Sequence, residues 1–330
     1  MQTISFLIPC YNERDNIRPM ISKLIEIMAQ YHDKYDYEII YRDNASTDGS
    51  VDVLRELAKE NERIKVIVNA RNYGHNYRKE SFIGRVSGDV IIYIAGDLQE
   101  PPELIPTFIE WYEKGYEAVC GEKIGSKEGS IKYGLRQLFY RIINLFSDYP
   151  QYENLSGIIL LSKRINDIYW NNNDYPAIRY FLSDLGCKVK LIKYIQNERK
   201  YGKTSYNAGS AFSFAMNSLI QTSLKPLRLA TVLGIFMSFF SFLIGFVYLI
   251  VKLIYWDRFS AGVAPVLIGL FFIGSVLLLF IGIVGEYVGS ILNRIKASPP
   301  PIVSELINFC GDDPYCIKQP DDQNGDIEIE

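Results

Sequence analysis

The chain has 330 residues, with 35 Lys and Arg against 38 Asp and Glu, a formal net charge of −3 and no basic block. That balance excludes the positive footprint of a nucleic-acid binder, and the length suits one large domain or two. The five cysteines (Cys10, Cys120, Cys187, Cys310, Cys316) are odd in number and lack zinc-ligand spacing, which predicts reduced thiols in a cytosolic domain. Cys310 and Cys316, in "CGDDPYC", are close enough to pair, but a polar tail is the preferred reading.

The opening "MQTISFLIPCYNE" has no basic n-region and reads as a strand, not a signal peptide. The β-run "TISFLIP" is followed by a helical pattern through "NIRPMISKLIEIMAQY". "YEIIYRD" precedes a helix over "SVDVLRELAKEN", and "IKVIVN" precedes one around "NYRKESFIGRVSG". "DVIIYIAG" precedes one over "PPELIPTFIEWYEKG", with "YEAVCG" as a fifth strand. This alternation predicts an α/β fold, a Rossmann-like, mostly parallel sheet covered by helices on both faces. Ligands of such sheets bind outside the carboxyl ends of the strands. Those ends are "PCYNE", "RDNASTDGS", "NARNYG" and "AGDLQ". All are polar, so Asp43, Arg71 and Asp97 are expected to converge on one edge.

The usual phosphate cradles are absent: no GxGxxG follows the first strand and no GxxxxGK[ST] occurs anywhere. "NASTDGS" has the composition of a calcium loop, but its acids and the closing Glu fall out of register. The turn "GDLQEPPE" alone fits a plain strand–turn–helix, because proline suits the first helical turn. Among its polar neighbours, Asp97 with Gln99 suits a hard divalent cation shared with substrate phosphates. Arg71 suits a phosphate as a fork, and Tyr11 suits the face of a base. His32 and His75 stand without ligand partners.

Further along, "GSKEGSIKYGLRQLFYR" (125–141) reads as an acceptor loop leading into a basic amphipathic helix. The segment 208–224 is too short and polar to span a bilayer and reads as an interfacial helix, with a buried core helix as the other reading. Leu229–Val251 and Phe259–Gly285 carry no charge. The shorter run makes a helix of about 35 Å, enough to cross a hydrocarbon core of about 30 Å. Lys225 and Arg228 precede the first run, and Arg294 and Lys296 follow the second. This bias predicts both ends in the cytoplasm, with Tyr255 and Trp256 anchored at the far interface.

In order and spacing, "IPCYNE", "DNASTDGS", "RNYG" and "GDLQEPPE" resemble the P-x-Y-N-E, D-D-G-S-x-D-G, R-N-x-G and D-x-D-L-Q-x-P-P-E stretches of one family. This is the polyprenyl-phosphate glycosyltransferases of the GT-A fold, within glycosyltransferase family 2. The group contains dolichol-phosphate mannose synthases and bactoprenol glucosyltransferases. "SGIILLSKR" (156–164) is similar to the family's S-G-F-x-x-x-x-R, and "RKYGKTSY" (199–206) to R-x-x-G-x-S-K-Y. With two spans and "GIVGEY" (282–287), the resemblance covers about nine-tenths of the chain.

The resemblance implies that Pro9, Tyr11, Glu13 and Asp43 hold the base and ribose and that Arg71 flanks the nucleotide. Asp97 and Gln99 would bind Mg2+ or Mn2+, while Lys123, Arg199 and Tyr206 face the diphosphate or the lipid phosphate. Asp97, Arg199 and Lys203 are the implied catalytic set. Three departures stand out: Ala95 replaces the first Asp of D-x-D, Asn44 the second Asp of the D-D pair, and Ser205 the Lys of S-K-Y, with Lys203 as a substitute. The implied reaction is inverting transfer of a hexose, glucose by the two-span likeness, from a UDP-sugar to undecaprenyl or another polyprenyl phosphate. GDP-mannose-dependent mannosyl transfer and a non-catalytic nucleotide-sugar binder remain as alternatives. A processive synthase would carry Q-x-x-R-W and more spans, and a transporter would carry more polar residues in its spans than Ser, Thr and Glu286. The implied layout is a cytoplasmic GT-A domain (1–207), interfacial helices (208–228), two spans within 229–293 (229–254 and 262–289) and a cytoplasmic tail (294–330). The implied setting is the bacterial inner membrane, with the lipid bilayer as a partner and a homo-oligomer compatible with the family.

Overall fold

The computed structural model describes residues 1–74, 82–125, 152, 155–171, 178–197, 225–254, 263–295 and 301–309. The chain divides into two compact units. One comprises residues 1–129, 152–205 and 298–330, and the other 130–151 and 206–297.

The first unit is an α/β sandwich. In chain order it runs β1 (Gln2–Cys10), α1 (Arg14–Ala29), β2 (Tyr35–Asp43), α2 (Ser50–Glu60), β3 (Ile64–Asn69) and β4 (Val90–Tyr93). A 3-10 turn (Pro102–Leu104) leads into α3 (Ile105–Glu113), then β5 (Ala118–Gly125), β6 (Leu155–Ser162), α4 (Lys163–Asn171), α5 (Ile178–Leu185) and β7 (Val189–Ile195). An eighth strand, β8 (Val303–Ile307), arrives from the far end of the chain. The strand order is β7-β5-β6-β4-β1-β2-β3-β8. β1 pairs in parallel with β2 and β4, β2 with β3, and β5 with β7, whereas β6 and β8 run antiparallel to their neighbours. The predicted mostly parallel sheet is present.

Period-two alternation along β1 explains the two faces. Ile4, Phe6 and Ile8 pack with Ile17, Met20 and Leu24 of α1, Leu54 of α2 and Phe108 of α3. Leu7 points the other way, into a cluster with Ile40, Ile67, Phe82 and Ile91. A third cluster joins Cys120 and Ile159 to Ile165 of α4 and Phe181 and Leu182 of α5. Helices on both faces thus bury a sheet that is apolar on both sides. Cys10, Cys120 and Cys187 are free thiols, and burial pushes those of Cys10 and Cys120 well above the ordinary range.

Two sequence expectations need correction here. No helix forms over the described part of "NYRKESFIGRVSG": residues 82–84 are a turn and 85–88 are irregular. Gly88 explains part of this, because a Cβ there would stand 2.2 Å from Ser5 Oγ and 2.9 Å from the Ser5 backbone nitrogen. The chain must pass flush against β1 instead of coiling. The second correction concerns the segment read as a tail. Residues 303–307 are an edge strand of the same sheet, antiparallel to β3, with Val303 fully buried.

In the second unit, α6 (Lys225–Ile254) contains the first charge-free run and α7 (Val263–Ile295) the described part of the second. Both are long and apolar enough to cross a membrane, with mean hydropathy 2.0 over Leu227–Ile244 and Phe272–Leu292. They meet where Gly234 leaves room for the Phe280 ring. Phe236, Phe240 and Leu278 are among many large apolar side chains left exposed.

Candidate active site

Because β1, β2, β3 and β4 are adjacent and parallel, their carboxyl ends lie side by side. The last residues of these strands and the turns that follow hold Pro9, Tyr11, Glu13, Asp43, Arg71, Asp97 and Gln99. Three of the four non-glycine residues with left-handed backbone among the described residues lie in them: Asn12 (φ 55°), Ala45 (φ 61°) and Leu98 (φ 57°). Such conformations cost about 1–3 kcal/mol each and persist only where surroundings enforce them. Here cross-bonds do so. The Asn12 N–H donates to Ser46 Oγ (2.8 Å) and the Thr47 N–H to Asn12 Oδ1 (2.8 Å). The Glu13 N–H donates to Ser50 Oγ (3.2 Å) and the Arg14 N–H to Asp48 Oδ2 (3.1 Å). "YNE" and "STDGS" are therefore one stapled structure. Asn12, Ser46, Asp48 and Ser50, which the sequence reading left without roles, hold it. Tyr11, 43% exposed, stands on its rim, and Glu13 accepts from Asn16 Nδ2 at 2.5 Å.

Asp43 ends β2 and is fully buried. Its Oδ2 accepts the Ser46 N–H at 2.8 Å, while Oδ1 has no hydrogen-bond partner among the described residues. Burial raises its pKa, opposed by the bonds from Ser46. A buried acceptor left unmet costs about 1–3 kcal/mol, so Oδ1 is left open to a donor from beyond the described residues.

The departure at Asn44 has a physical reason. Its Nδ2 donates to Asn72 Oδ1 (2.8 Å) while its Oδ1 accepts from Asn69 Nδ2 (3.0 Å) and from the Tyr73 N–H (3.1 Å). An aspartate accepts but cannot donate, so only the amide can tie the end of β2 to the 69–74 turn in both directions. On that turn the Arg71 guanidinium lies 4.4 Å from the centroid of the Tyr73 ring.

The "AGDLQ" turn is seated directly on β1. The Ile94 N–H donates to Leu7 O (3.2 Å), and a Cβ at Gly96 would sit 3.4 Å from Pro9 O. The Gln99 N–H donates to Asp97 Oδ1 (3.2 Å), and Gln99 O accepts the Asn197 N–H (3.0 Å). Asp97 and Gln99 are both half-buried. No group of three His, Cys, Asp or Glu suited to a metal occurs among the described residues.

Glu100 was missed in the sequence. It is 6% exposed, faces Gly157 of β6, accepts the Gly157 N–H at 3.4 Å and leaves Oε2 without a partner among the described residues. Burial and then the Asp97 charge push its pKa up to about 7, against bonds from backbone N–H groups and the charge of Lys123. A Cβ at Gly157 would stand 3.2 Å from Glu100 Oε1, so any side chain there would crowd the buried carboxylate. That explains the glycine of "SGIILLSKR". The arginine of that stretch, Arg164, instead pairs with Glu117 (Nε to Oε1, 2.8 Å), before β5. Nothing in the sequence marks Glu100 as buried, since a carboxylate before two prolines reads as a solvated turn.

Lys123, half-buried on β5, is near enough to act on Glu100. Arg199, Lys203, Ser205 and Tyr206, the 126–141 part of the acceptor loop and the segment 208–224 lie outside the described residues. A cavity of about 620 Å³ lies where the strands begin, lined by Gln2, Lys34, Tyr35 and Glu113. Its charges are already matched, with Lys34 Nζ 2.7 Å and Tyr35 Oη 3.1 Å from Glu113 Oε1.

Residues 5–170 match the model of Glycosyl transferase family 2. The uncharacterized glycosyltransferase YkcC of Bacillus subtilis (strain 168) is 32% identical over 91% of this chain and 93% of its own. The SfII prophage-derived bactoprenol glucosyl transferase of Shigella flexneri is 28% identical over 92% of this chain and 97% of its own. Among solved structures, glucosyl-3-phosphoglycerate synthase from Mycobacterium tuberculosis in complex with UDP covers 68% of this chain and 79% of that chain. Its TM-score is 0.46, at 15% identity. The family match runs from β1 through α4 and takes in all four carboxyl-edge turns, so the chain belongs to glycosyl transferase family 2 and is a glycosyltransferase of the GT-A fold.

Proposed function

We propose that the enzyme moves a hexose, glucose from UDP-glucose, to the phosphate of a membrane polyprenyl phosphate, inverting the anomeric centre. One observation carries this reading: a family 2 catalytic unit shares its chain with two helices long and apolar enough to cross a bilayer. The likeness to a bactoprenol glucosyl transferase covers 92% of the chain, and each helix is longer than the unmatched remainder. The spans would place the active site at the cytoplasmic surface, where a lipid phosphate is presented.

The residues divide the work by their chemistry. Asp43 Oδ1, buried and unmet, accepts an N–H from the nucleotide base, and the exposed Tyr11 ring lies along its face. Arg71, braced on Tyr73, flanks the nucleotide. One carboxylate and one amide at Asp97 and Gln99 are too few to cage a divalent cation. They fit one that takes its remaining oxygens from a diphosphate and from water, the usual manner of Mg2+. When bound there, Mg2+ or Mn2+ supplies stabilisation of the charge on the departing diphosphate. Arg199, Lys203 and Tyr206, with Lys123, serve the diphosphate and lipid phosphate. The acceptor phosphate is already an anion at neutral pH, so attack needs no strong general base.

The decisive experiment incubates purified protein with labelled UDP-glucose or GDP-mannose, polyprenyl phosphate and Mg2+ or Mn2+. Labelled lipid from UDP-glucose is expected. Transfer only from GDP-mannose would replace the donor. Nucleotide binding without transfer from any sugar would favour a non-catalytic sugar-nucleotide binder. Orientation is tested in intact cells, where Ser260→Cys should react with an impermeant thiol reagent and Ser126→Cys should not; the reverse would overturn the topology.

A further inference from the structure

The 70–74 turn is held from outside the domain's own sequence neighbourhood. The Ile302 N–H donates to Tyr73 Oη at 3.0 Å, and the Ala70 N–H donates to Ile302 O at 2.9 Å. The backbone of a single residue, 302, thus grips both ends of the stretch that displays Arg71. Tyr73 in turn is tied through its own N–H to Asn44, the residue after Asp43. The grip is anchored by the strand that follows it. Arg55 of α2 forks onto Glu305 (2.6 Å from Nη2 to Oε2, 3.1 Å from Nε to Oε1), and Ser304 Oγ donates to Val68 O at 3.0 Å. Asn308 Nδ2 bridges Ala58 O (2.7 Å) and Ile64 O (2.8 Å), closing β8 against the end of α2.

We propose that the segment following α7 is a positioning element of the donor pocket. The Ile302 backbone fixes the Tyr73 ring, the ring fixes the Arg71 guanidinium, and nucleotide affinity therefore depends on residues more than 200 positions away in sequence. This rests on the reading of Arg71 and Asp43 as the nucleotide end. It assigns Tyr73 and Ile302 as positioning residues, neither needing to touch the reacting atoms. The arrangement makes the pocket complete only after both apolar helices have been synthesised and the chain has returned to the sheet. A chain cut short before residue 301 would then hold donor nucleotide more weakly.

The test uses the full-length protein in detergent or nanodiscs, with UDP binding measured by calorimetry, or GDP where UDP does not bind. Tyr73→Phe keeps the ring and removes the acceptor, and Ile302→Pro removes the N–H donor together with the Ile side chain, for which Ile302→Ala, with its N–H intact and wild-type affinity expected, is the control. Tyr73→Phe and Ile302→Pro should each weaken nucleotide binding roughly three- to tenfold, the effect of one lost hydrogen bond, with KM for the lipid acceptor unchanged. The double variant should be no weaker than either single one, because both delete the same bond. Arg164→Ala, which removes only an exposed pair with Glu117 and no contact of this strand, should keep wild-type nucleotide affinity. Wild-type affinity in Tyr73→Phe and Ile302→Pro, with or without a lower Tm, would show that β8 only completes the sheet and would overturn the proposal. Additive losses in the double variant would break the assigned link. A wild-type protein that binds neither UDP nor GDP would overturn the proposed function itself, a distinct result.

Discussion

Glu38 and Asp43 lie on the same strand, β2, and are both buried, at 4% and 0% exposure. Glu38 is met on every side. Ser5 Oγ (2.5 Å) and the Ser87 N–H (2.9 Å) donate to Oε1, and Lys65 Nζ stands 2.6 Å from Oε2. Asp43 has one oxygen bonded to Ser46 and the other unmet. Burial works against both charges, yet the bonds from Lys65, Ser5 and Ser87 win at Glu38 and lower its pKa, whereas Asp43 stays raised. The difference separates two uses of the same chemistry. A buried carboxylate with all partners in hand fastens the β3–β4 connection to the sheet. One with an oxygen open among the described residues is the acceptor proposed for the nucleotide base. The two ends of the strands differ as well: at their starts Lys34 and Glu113 are paired, whereas the turns at their carboxyl ends hold the left-handed residues Asn12, Ala45 and Leu98.

That contrast is best broken at its strongest point. Asp97→Asn should lower turnover about a hundredfold or more, about 3 kcal/mol of leaving-group stabilisation, without lowering Tm. Retention of more than about a tenth of wild-type turnover at saturating Mg2+ or Mn2+ would remove Asp97 from the metal site. Next in size, Asp43→Asn places a donor where an acceptor is needed. It should weaken nucleotide binding about tenfold to a hundredfold, the loss of a charge-assisted bond, while Tm holds or rises because a buried charge is gone. A fall in Tm with intact affinity would make Asp43 a second Glu38.

Glu38→Gln should do the opposite. Stability should fall by about 1.5–3 kcal/mol in chemical denaturation while KM for the nucleotide sugar is unchanged. The sign with pH follows from linkage. The folded-state pKa of Glu38 lies below its unfolded value, so its contribution is complete above the ordinary glutamate range and is lost as pH falls through the lowered folded-state value. The wild type should therefore lose stability on acidification more steeply than Glu38→Gln, and parallel pH curves would refute the linkage. Smallest of all, Arg164→Ala removes an exposed pair with Glu117 and should leave both Tm and turnover near wild type, although Arg164 closes a stretch similar to a family motif. A loss of activity there would mean that the partner seen in the structure is not the one that matters.

Much of this architecture is written locally. Strand–helix alternation specifies an α/β sheet because period-two and period-3.6 patterns bury different faces, and polar turns after β1 to β4 mark the edge where ligands bind. Charge-free runs longer than a bilayer is thick are equally plain. From that pattern alone Asp43, Arg71 and Asp97 are placed on one edge, and all three are found on turns or strand ends there. What the sequence could not show depends on partners distant in the chain. Whether a carboxylate is satisfied is a property of its neighbours in space, so Glu38 and Asp43 look alike on paper, and Glu100 looks solvated until Gly157 of β6 closes over it. Asn44 reads as a weakened acid until Asn69, Asn72 and Tyr73 supply both of its bonding directions. β8 is the clearest case. "VSELI" is a short alternating run beyond two apolar helices, and only pairing with β3, the Arg55–Glu305 fork and the Asn308 bridge make it a strand. Five residues carry too little local preference to decide their own fate; the edge of a sheet with open hydrogen bonds decides it for them.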